Sequence, residues 1–189
     1  VYEPPPGLER ETDPTTGREL LERSLALKFE DLYPGESVSA SRTFFSGQNY
    51  TAYGSMTMFA HGGNPASEIS DVNFPVSPDS LGGILSPVEL FIRFAPISED
   101  TLNFYEYRRR IYRGWADPAN TMDINLELLS QLKGQLLDRA NQSSSDSVAI
   151  SLEAGDLVAR LIREENRMEV DLDGATYTVR GNPALSNIK

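Results

Sequence analysis

The chain has 189 residues, 39% of them hydrophobic, no cysteine and a net charge of -11; its mean hydropathy is -0.37 and its isoelectric point about 4.6. This length fits one domain, or one domain with an appendage, and is enough to bury a core without staples. The missing cysteines exclude disulfide scaffolds, thiolate metal sites and thiol nucleophiles, and the acidity argues against nucleic acid or anionic lipid, which need a cationic footprint.

No apolar run approaches the ~20 residues of a membrane helix. No signal peptide is visible and the first residue is not Met, so the chain reads as a mature protein or an excised piece. Residues 1–20 read as an extended, linker-like N-terminal segment. Pro4-Pro5-Pro6-Gly7 favours polyproline geometry, and Asp13-Pro14-Thr15-Thr16-Gly17 is turn chemistry. Residues 21–189 read as the folded domain.

Leu25, Leu27 and Phe29 alternate with Ala26 and Lys28, which predicts a first strand. Tyr33-Pro34-Gly35-Glu36 turns the chain, and Val38 to Phe45 predicts a second strand. Tyr53 to His61 predicts a third. Gly62 to Pro87 is a long irregular stretch, read as an insertion at a sheet edge. Val88 to Phe94 alternates cleanly, Pro96 stops it, and the aromatic-rich Leu102 to Tyr112 predicts the neighbouring strand. A turn surrounds Trp115. Met122, Ile124, Leu126 and Leu128 alternate as a further strand, after which Leu128, Leu129, Leu132 and Leu136 fall at helical spacing to about Ala140. Asn141 to Ser147 is a Ser-rich loop. Val148, Ile150 and Leu152 predict a strand, and Leu157, Leu161 and Ile162 a short helix. Met168 to Leu172 and Ala175 to Val179 predict a hairpin around Asp173-Gly174. Eight or so strands with one or two short helices, and no βαβ rhythm, predict a mainly β fold, an antiparallel β-sandwich of jelly-roll-like type.

Candidate sites are few. His61 is the sole histidine; without a placed serine and carboxylate it reads as structural rather than as a catalytic base, and one histidine without cysteine excludes the usual zinc ligand sets. Asp171 and Asp173 before Gly174 resemble the start of a calcium loop but lack its later ligands, so a hairpin turn is the expectation. Arg108, Arg109, Arg110 and Arg113 form the one cationic cluster. Alternate residues of a strand face opposite sides, so Arg108, Arg109 and Arg110 do not form one patch; pairing with carboxylates is the default, and an acidic cargo signal or a barrel partner the sharper alternative. Tyr105, Tyr107, Tyr112 and Trp115 are the candidates for a carbohydrate-binding row. A hydrolase would require two carboxylates ~5–10 Å apart in a cleft, and no spacing singles out a pair.

A family resemblance enters through a series of segments. Pro5-Pro-Gly-Leu-Glu-Arg-Glu11, Ser24-Leu-Ala-Leu-Lys-Phe-Glu-Asp-Leu-Tyr-Pro-Gly35, Met58-Phe-Ala-His61, Phe91-Ile-Arg-Phe94 and Asn103-Phe-Tyr-Glu-Tyr107 resemble, in this order, a domain of the SprA family. So do Trp115-Ala-Asp-Pro-Ala-Asn-Thr-Met-Asp-Ile-Asn-Leu-Glu-Leu128 and Gly181-Asn-Pro-Ala-Leu-Ser-Asn187. SprA proteins are giant outer-membrane translocons of type 9 secretion and gliding motility. The resemblance implies a non-enzymatic soluble portion of such a translocon, at the outer membrane or cell surface, that scaffolds or gates the pore. Its implied partners are the rest of the translocon chain, other secretion-system proteins and secreted cargo. It assigns no catalytic, cofactor or metal residue. The family pattern continues into a further strand after Gly-Asn-Pro-x-Leu, so the resemblance also implies a sandwich whose last strand is either missing or supplied by another chain. The alternative from the residues alone is a carbohydrate-binding jelly-roll module.

Overall fold

Alternation of apolar and polar residues sets most of the ladders. The computed structural model describes residues 5–9, 12–19, 24–63, 86–97, 100–139, 147–152 and 155–189. The expected insertion between Gly62 and Pro87 and the Ser-rich loop at 141–146 fall almost wholly outside the described residues. The elements are β1 (Ser55–Phe59), β2 (Glu89–Phe94), β3 (Phe104–Arg110), β4 (Thr121–Asn125), α1 (Leu126–Arg139), β5 (Ser147–Leu152), β6 (Gly155–Ile162), β7 (Arg167–Leu172) and β8 (Ala175–Arg180), with one 3-10 turn at Arg163–Glu165. The fold is mainly β and antiparallel, consistent with a β-sandwich.

A six-stranded sheet runs β2-β3-β8-β7-β6-β5, and β1 pairs with β4 in a second, two-stranded sheet. Register explains the core. Ile92, Tyr107, Tyr177 and Val170 lie in one row across β2, β3, β8 and β7. Phe94, Tyr105, Val179 and Met168 form the next. These side chains share one face, which α1 and the β1–β4 pair cover. The Tyr177 hydroxyl donates to the Asp123 carbonyl at 3.1 Å and accepts from the Asn125 amide at 3.2 Å, tying β8 to β4. Tyr107 meets Tyr177 edge-on at 5.1 Å, a favoured aromatic geometry.

The strand-to-helix switch is abrupt because Asn125 is a helix cap. Its Oδ1 accepts from the Leu128 amide at 2.8 Å, and the Gly54 carbonyl takes the Leu126 and Glu127 amides. The donors that helix geometry leaves unpaired are therefore satisfied. Leu126, Leu128, Leu129, Leu132 and Leu136 are buried, a stripe that packs on β7 and β8. Gly134 sits on the opposite, exposed side, and an added Cβ there meets nothing within 4 Å. Gly134→Ala should therefore stabilise the protein by about 1 kcal/mol through helix propensity alone; urea unfolding checks it, and a destabilised variant would contradict the open environment.

The structure corrects three expectations. Leu25 to Phe29 and Val38 to Phe45 form no strand: residues 24–44 have no regular structure, with Leu25 80% and Val38 61% exposed. A ladder needs a partner as well as a pattern, and among the described residues none pairs with them. Only the turn is made, with the Glu36 amide donating to the Tyr33 carbonyl at 3.0 Å and Gly35 at φ 89°, the geometry a Pro-Gly pair favours. Second, Leu157 to Ile162 belong to strand β6, not a helix. Ala159 is fully buried and Leu161 nearly so, whereas Val158 is 70% exposed; a small inward alanine had concealed the period of two. Third, the strand through Met122 ends at Asn125, so Leu126 already belongs to the helix.

The chain divides into two compact units, Val1–Ala40 and Ser41–Lys189. Within the first, the Asp13-to-Gly17 turn forms as expected: Thr12 bridges Glu19, and Asp13 Oδ1 accepts the Thr15 and Thr16 amides. Those amides hold its carboxyl below the usual range. In the second unit, the C-terminal Ile188 is buried and bridges Gln48, and the Lys189 amide donates to the Ala95 carbonyl.

Candidate functional site

The outward face of the six-stranded sheet carries the densest chemistry. Alternation turns Glu89, Phe91 and Arg93 of β2 outward beside Phe104, Glu106, Arg108 and Arg110 of β3. Register places Arg93, Glu106, Thr178, Glu169 and Arg160 in one row across five strands. Glu106 is the hub. Its side chain is only 6% exposed, and each of its oxygens takes one guanidinium. Arg93 donates through Nε (3.1 Å) and Nη2 (2.5 Å) to Oε2. Arg108 donates through Nε (3.2 Å) and Nη2 (2.9 Å) to Oε1. Arg108 and Arg110 also reach Glu89 at 3.5 and 3.4 Å. Such charge-assisted bonds satisfy a carboxylate that burial would otherwise penalise heavily.

The arginines are also stacked. Arg93 lies 4.0 Å from the centre of the Phe104 ring. Phe91 has the Arg93 guanidinium at 5.4 Å and the Arg108 guanidinium at 5.5 Å. Cation–π contact and ion pairing together fix side chains that are otherwise floppy. A second pairing, at the far end of the same face, joins Arg160 and Arg167 to Glu169.

The arginine run therefore divides as alternation requires. Arg108 and Arg110 point outward to carboxylates. Arg109 lies on the inner face, where its guanidinium donates to the Thr121 carbonyl at 3.3 Å and the Pro118 carbonyl at 3.4 Å. Arg113 is in the following turn, where its residue bridges Gly62 through the backbone.

The aromatic row goes the other way. Tyr105 and Tyr107 do share a face, but it is the buried one: they are 2% and 1% exposed, and Tyr112 is 5% exposed. None of these three can stack on a sugar, and of the named row only the half-buried Trp115 keeps exposed ring surface. The Tyr105 hydroxyl donates to the Pro183 carbonyl at 3.1 Å. Burial pushes the Tyr105 and Tyr177 hydroxyls up to about 12. An ordinary tyrosine titrates near 10 in the unfolded chain. The neutral form thus belongs to the fold: stability is intact below about pH 10 and is lost as pH climbs toward 12. Two decades of proton affinity correspond to roughly 3 kcal/mol per tyrosine. Urea midpoints should be flat up to about pH 10 and then fall steeply. The fall should be shallower in Tyr105→Phe; an identical fall in that variant would contradict the assignment.

His61 is exposed and meets the Trp115 ring edge-on at 5.0 Å. Neither a serine nor a carboxylate is brought beside it among the described residues. Asp173 (φ 51°) and Gly174 (φ 74°) form the β7–β8 turn, the pairing of positive φ values that a tight hairpin demands. Asp171 accepts from the Thr176 hydroxyl at 2.6 Å. Among the described residues no group of three His, Asp or Glu side chains is placed to hold a metal ion. A groove of about 320 Å³ opens beside Tyr50, Tyr53, Gly54, Leu126, Glu127 and Leu185. It carries one carboxylate, Glu127, so the two-carboxylate arrangement of a glycosidase is not formed there.

Two structural hubs went unnoticed in the sequence. Asn120, 1% exposed, accepts from the Tyr112 amide at 2.8 Å and donates to the Tyr112 and Gly114 carbonyls at 2.7 and 2.8 Å. Asn103 Oδ1 accepts from the Asn182 amide at 2.9 Å, locking the start of β3 to the segment after β8. The turn residues around Trp115, and the Gly-Asn-Pro after β8, were the signals available.

Comparison with known proteins adds no assignment: no family model, no curated protein and no solved structure matches the chain.

Proposed function

We propose that the chain is a non-enzymatic soluble domain of a SprA-like outer-membrane translocon of type 9 secretion and gliding motility. Its role there is to scaffold or gate the pore and to contact cargo or partner proteins. One observation supports the reading beyond the segments themselves: the five that lie within Ser41–Lys189 each contact another of them. Phe91-Ile-Arg-Phe94 pairs along Asn103-Phe-Tyr-Glu-Tyr107, with Phe94 opposite Tyr105. Asn103 and Tyr105 in turn bind Asn182 and Pro183 of the Gly-Asn-Pro segment. Met58-Phe-Ala-His61 meets Trp115-to-Asn120 through the Ala60 amide on the Asn120 carbonyl at 3.0 Å and through the His61–Trp115 ring contact.

Among the described residues no helix is long and apolar enough to cross a membrane, so a helical anchor is not part of the proposal. The chemistry of the outer sheet face, ion pairs and stacked arginines without a nucleophile–base pair, suits contact rather than catalysis. The test is an in-frame deletion of the segment coding for Ser41–Lys189 in the native source. The expected outcome is retention of secreted proteins in the periplasm and loss of gliding. Normal secretion from that strain would overturn the proposal.

A further inference from the structure

We propose that the outward face of the β2–β3 hairpin docks an acidic polypeptide segment of a partner protein. The surface consists of Phe91, Arg93, Arg108 and Arg110, with Glu89 and Glu106 beneath and between them. Three guanidiniums stand against two carboxylates, a local cationic surplus on a chain whose net charge is -11. The Arg93, Arg108 and Arg110 side chains remain 33%, 42% and 37% exposed despite their internal pairs. Each guanidinium has five N–H donors. Arg93 directs two hydrogen bonds to Glu106, so donors remain for an incoming carboxylate.

Preorganisation separates this patch from an ordinary solvated charge run. A free arginine loses side-chain rotamer freedom when it is immobilised. Here Glu106 and the Phe91 and Phe104 rings have already restricted Arg93 and Arg108. A partner carboxylate therefore meets donors already aimed, with a half-buried aromatic ring between them. Arginine and aromatic side chains together are the residues that carry binding energy at protein interfaces. Electrostatics fixes the occupant's class. The remaining acidic surface repels an acidic partner and so confines it to this face. A nucleic acid would bring a phosphate array that the chain's overall charge opposes over a much longer stretch. The surface follows from the sheet alone and does not depend on the translocon reading.

The probe is fluorescein-labelled hexaglutamate, titrated with the whole chain at low ionic strength and followed by anisotropy, with labelled hexaglutamine as the uncharged control. The prediction is saturable binding of hexaglutamate that is lost as salt is raised, because exposed charges are screened. Arg110→Gln should weaken it about fivefold and Glu89→Gln tighten it about threefold, changes of about 1 and about 0.7 kcal/mol. Both residues are partly exposed and neither holds Glu106; Arg110 also donates to the Ser86 carbonyl beside β2, a single local bond, so both variants should keep the wild-type far-ultraviolet circular dichroism. Opposite responses to the loss of a cation and of an anion are not what a merely structural role produces. Hexaglutamate binding no better than hexaglutamine would overturn the proposal, and so would an affinity that neither variant changes.

Discussion

Asn120→Ala should lower the free energy of unfolding by about 4 kcal/mol. Asn120 is buried and closes the turn between β3 and β4 by binding the Tyr112 amide and the Tyr112 and Gly114 carbonyls. Alanine leaves the Tyr112 amide and carbonyl without partners, while the Gly114 carbonyl keeps the Gly62 amide; each buried orphan costs on the order of 1–3 kcal/mol. The turn also holds the Ala60 amide through the Asn120 carbonyl, so its loosening reaches β1. Asn120→Asp is the informative companion. It keeps the acceptor for the Tyr112 amide but turns an oxygen toward two carbonyls, so it should be no better than alanine. Equilibrium urea unfolding reads both, and a loss below about 1 kcal/mol would mean that the turn does not depend on this side chain.

Gly181→Ala should cost about 3 kcal/mol. Gly181 has φ 65°, where a Cβ is strained by about 1–2 kcal/mol. The environment is worse than the dihedral. An added Cβ lies 2.2 Å from the Leu102 carbonyl oxygen and 2.5 Å from Asn103 Oδ1. Backbone must move, and the Asn103–Asn182 bond lies in its path. Gly114 has a similar φ of 68° but open space around its Cβ position, so Gly114→Ala should lose only the dihedral part. Equal losses at the two glycines in urea unfolding would refute the close-approach account.

The β2–β3 pair, the Asp173-Gly174 hairpin and the leucine stripe of α1 were legible because each is a local pattern with a local signal. What alternation does not carry is the existence of a partner. Leu25, Leu27 and Phe29 have the pattern of an edge strand and stand exposed in an unpaired segment. Nor does alternation say which face is buried. Tyr105 and Tyr107 were placed on one face correctly, yet only the packing of α1 and β4 makes it the inner one. The Glu106 hub was invisible for another reason. Arg93 and Glu106 are thirteen residues apart, and they meet only through the register that pairs Phe94 with Tyr105. A hairpin whose turn length cannot be read fixes no register.

The resemblance to SprA-like translocons is what turns this fold into a functional proposal, and one measurement bears on it most directly. The native polypeptide that carries Val1–Lys189 should be isolated from its source, fractionated with and without the outer membrane, and its intact mass and peptides determined. The account predicts a chain of thousands of residues, by the family's scale, recovered with the outer membrane. A free soluble protein of about 20.9 kDa would contradict it.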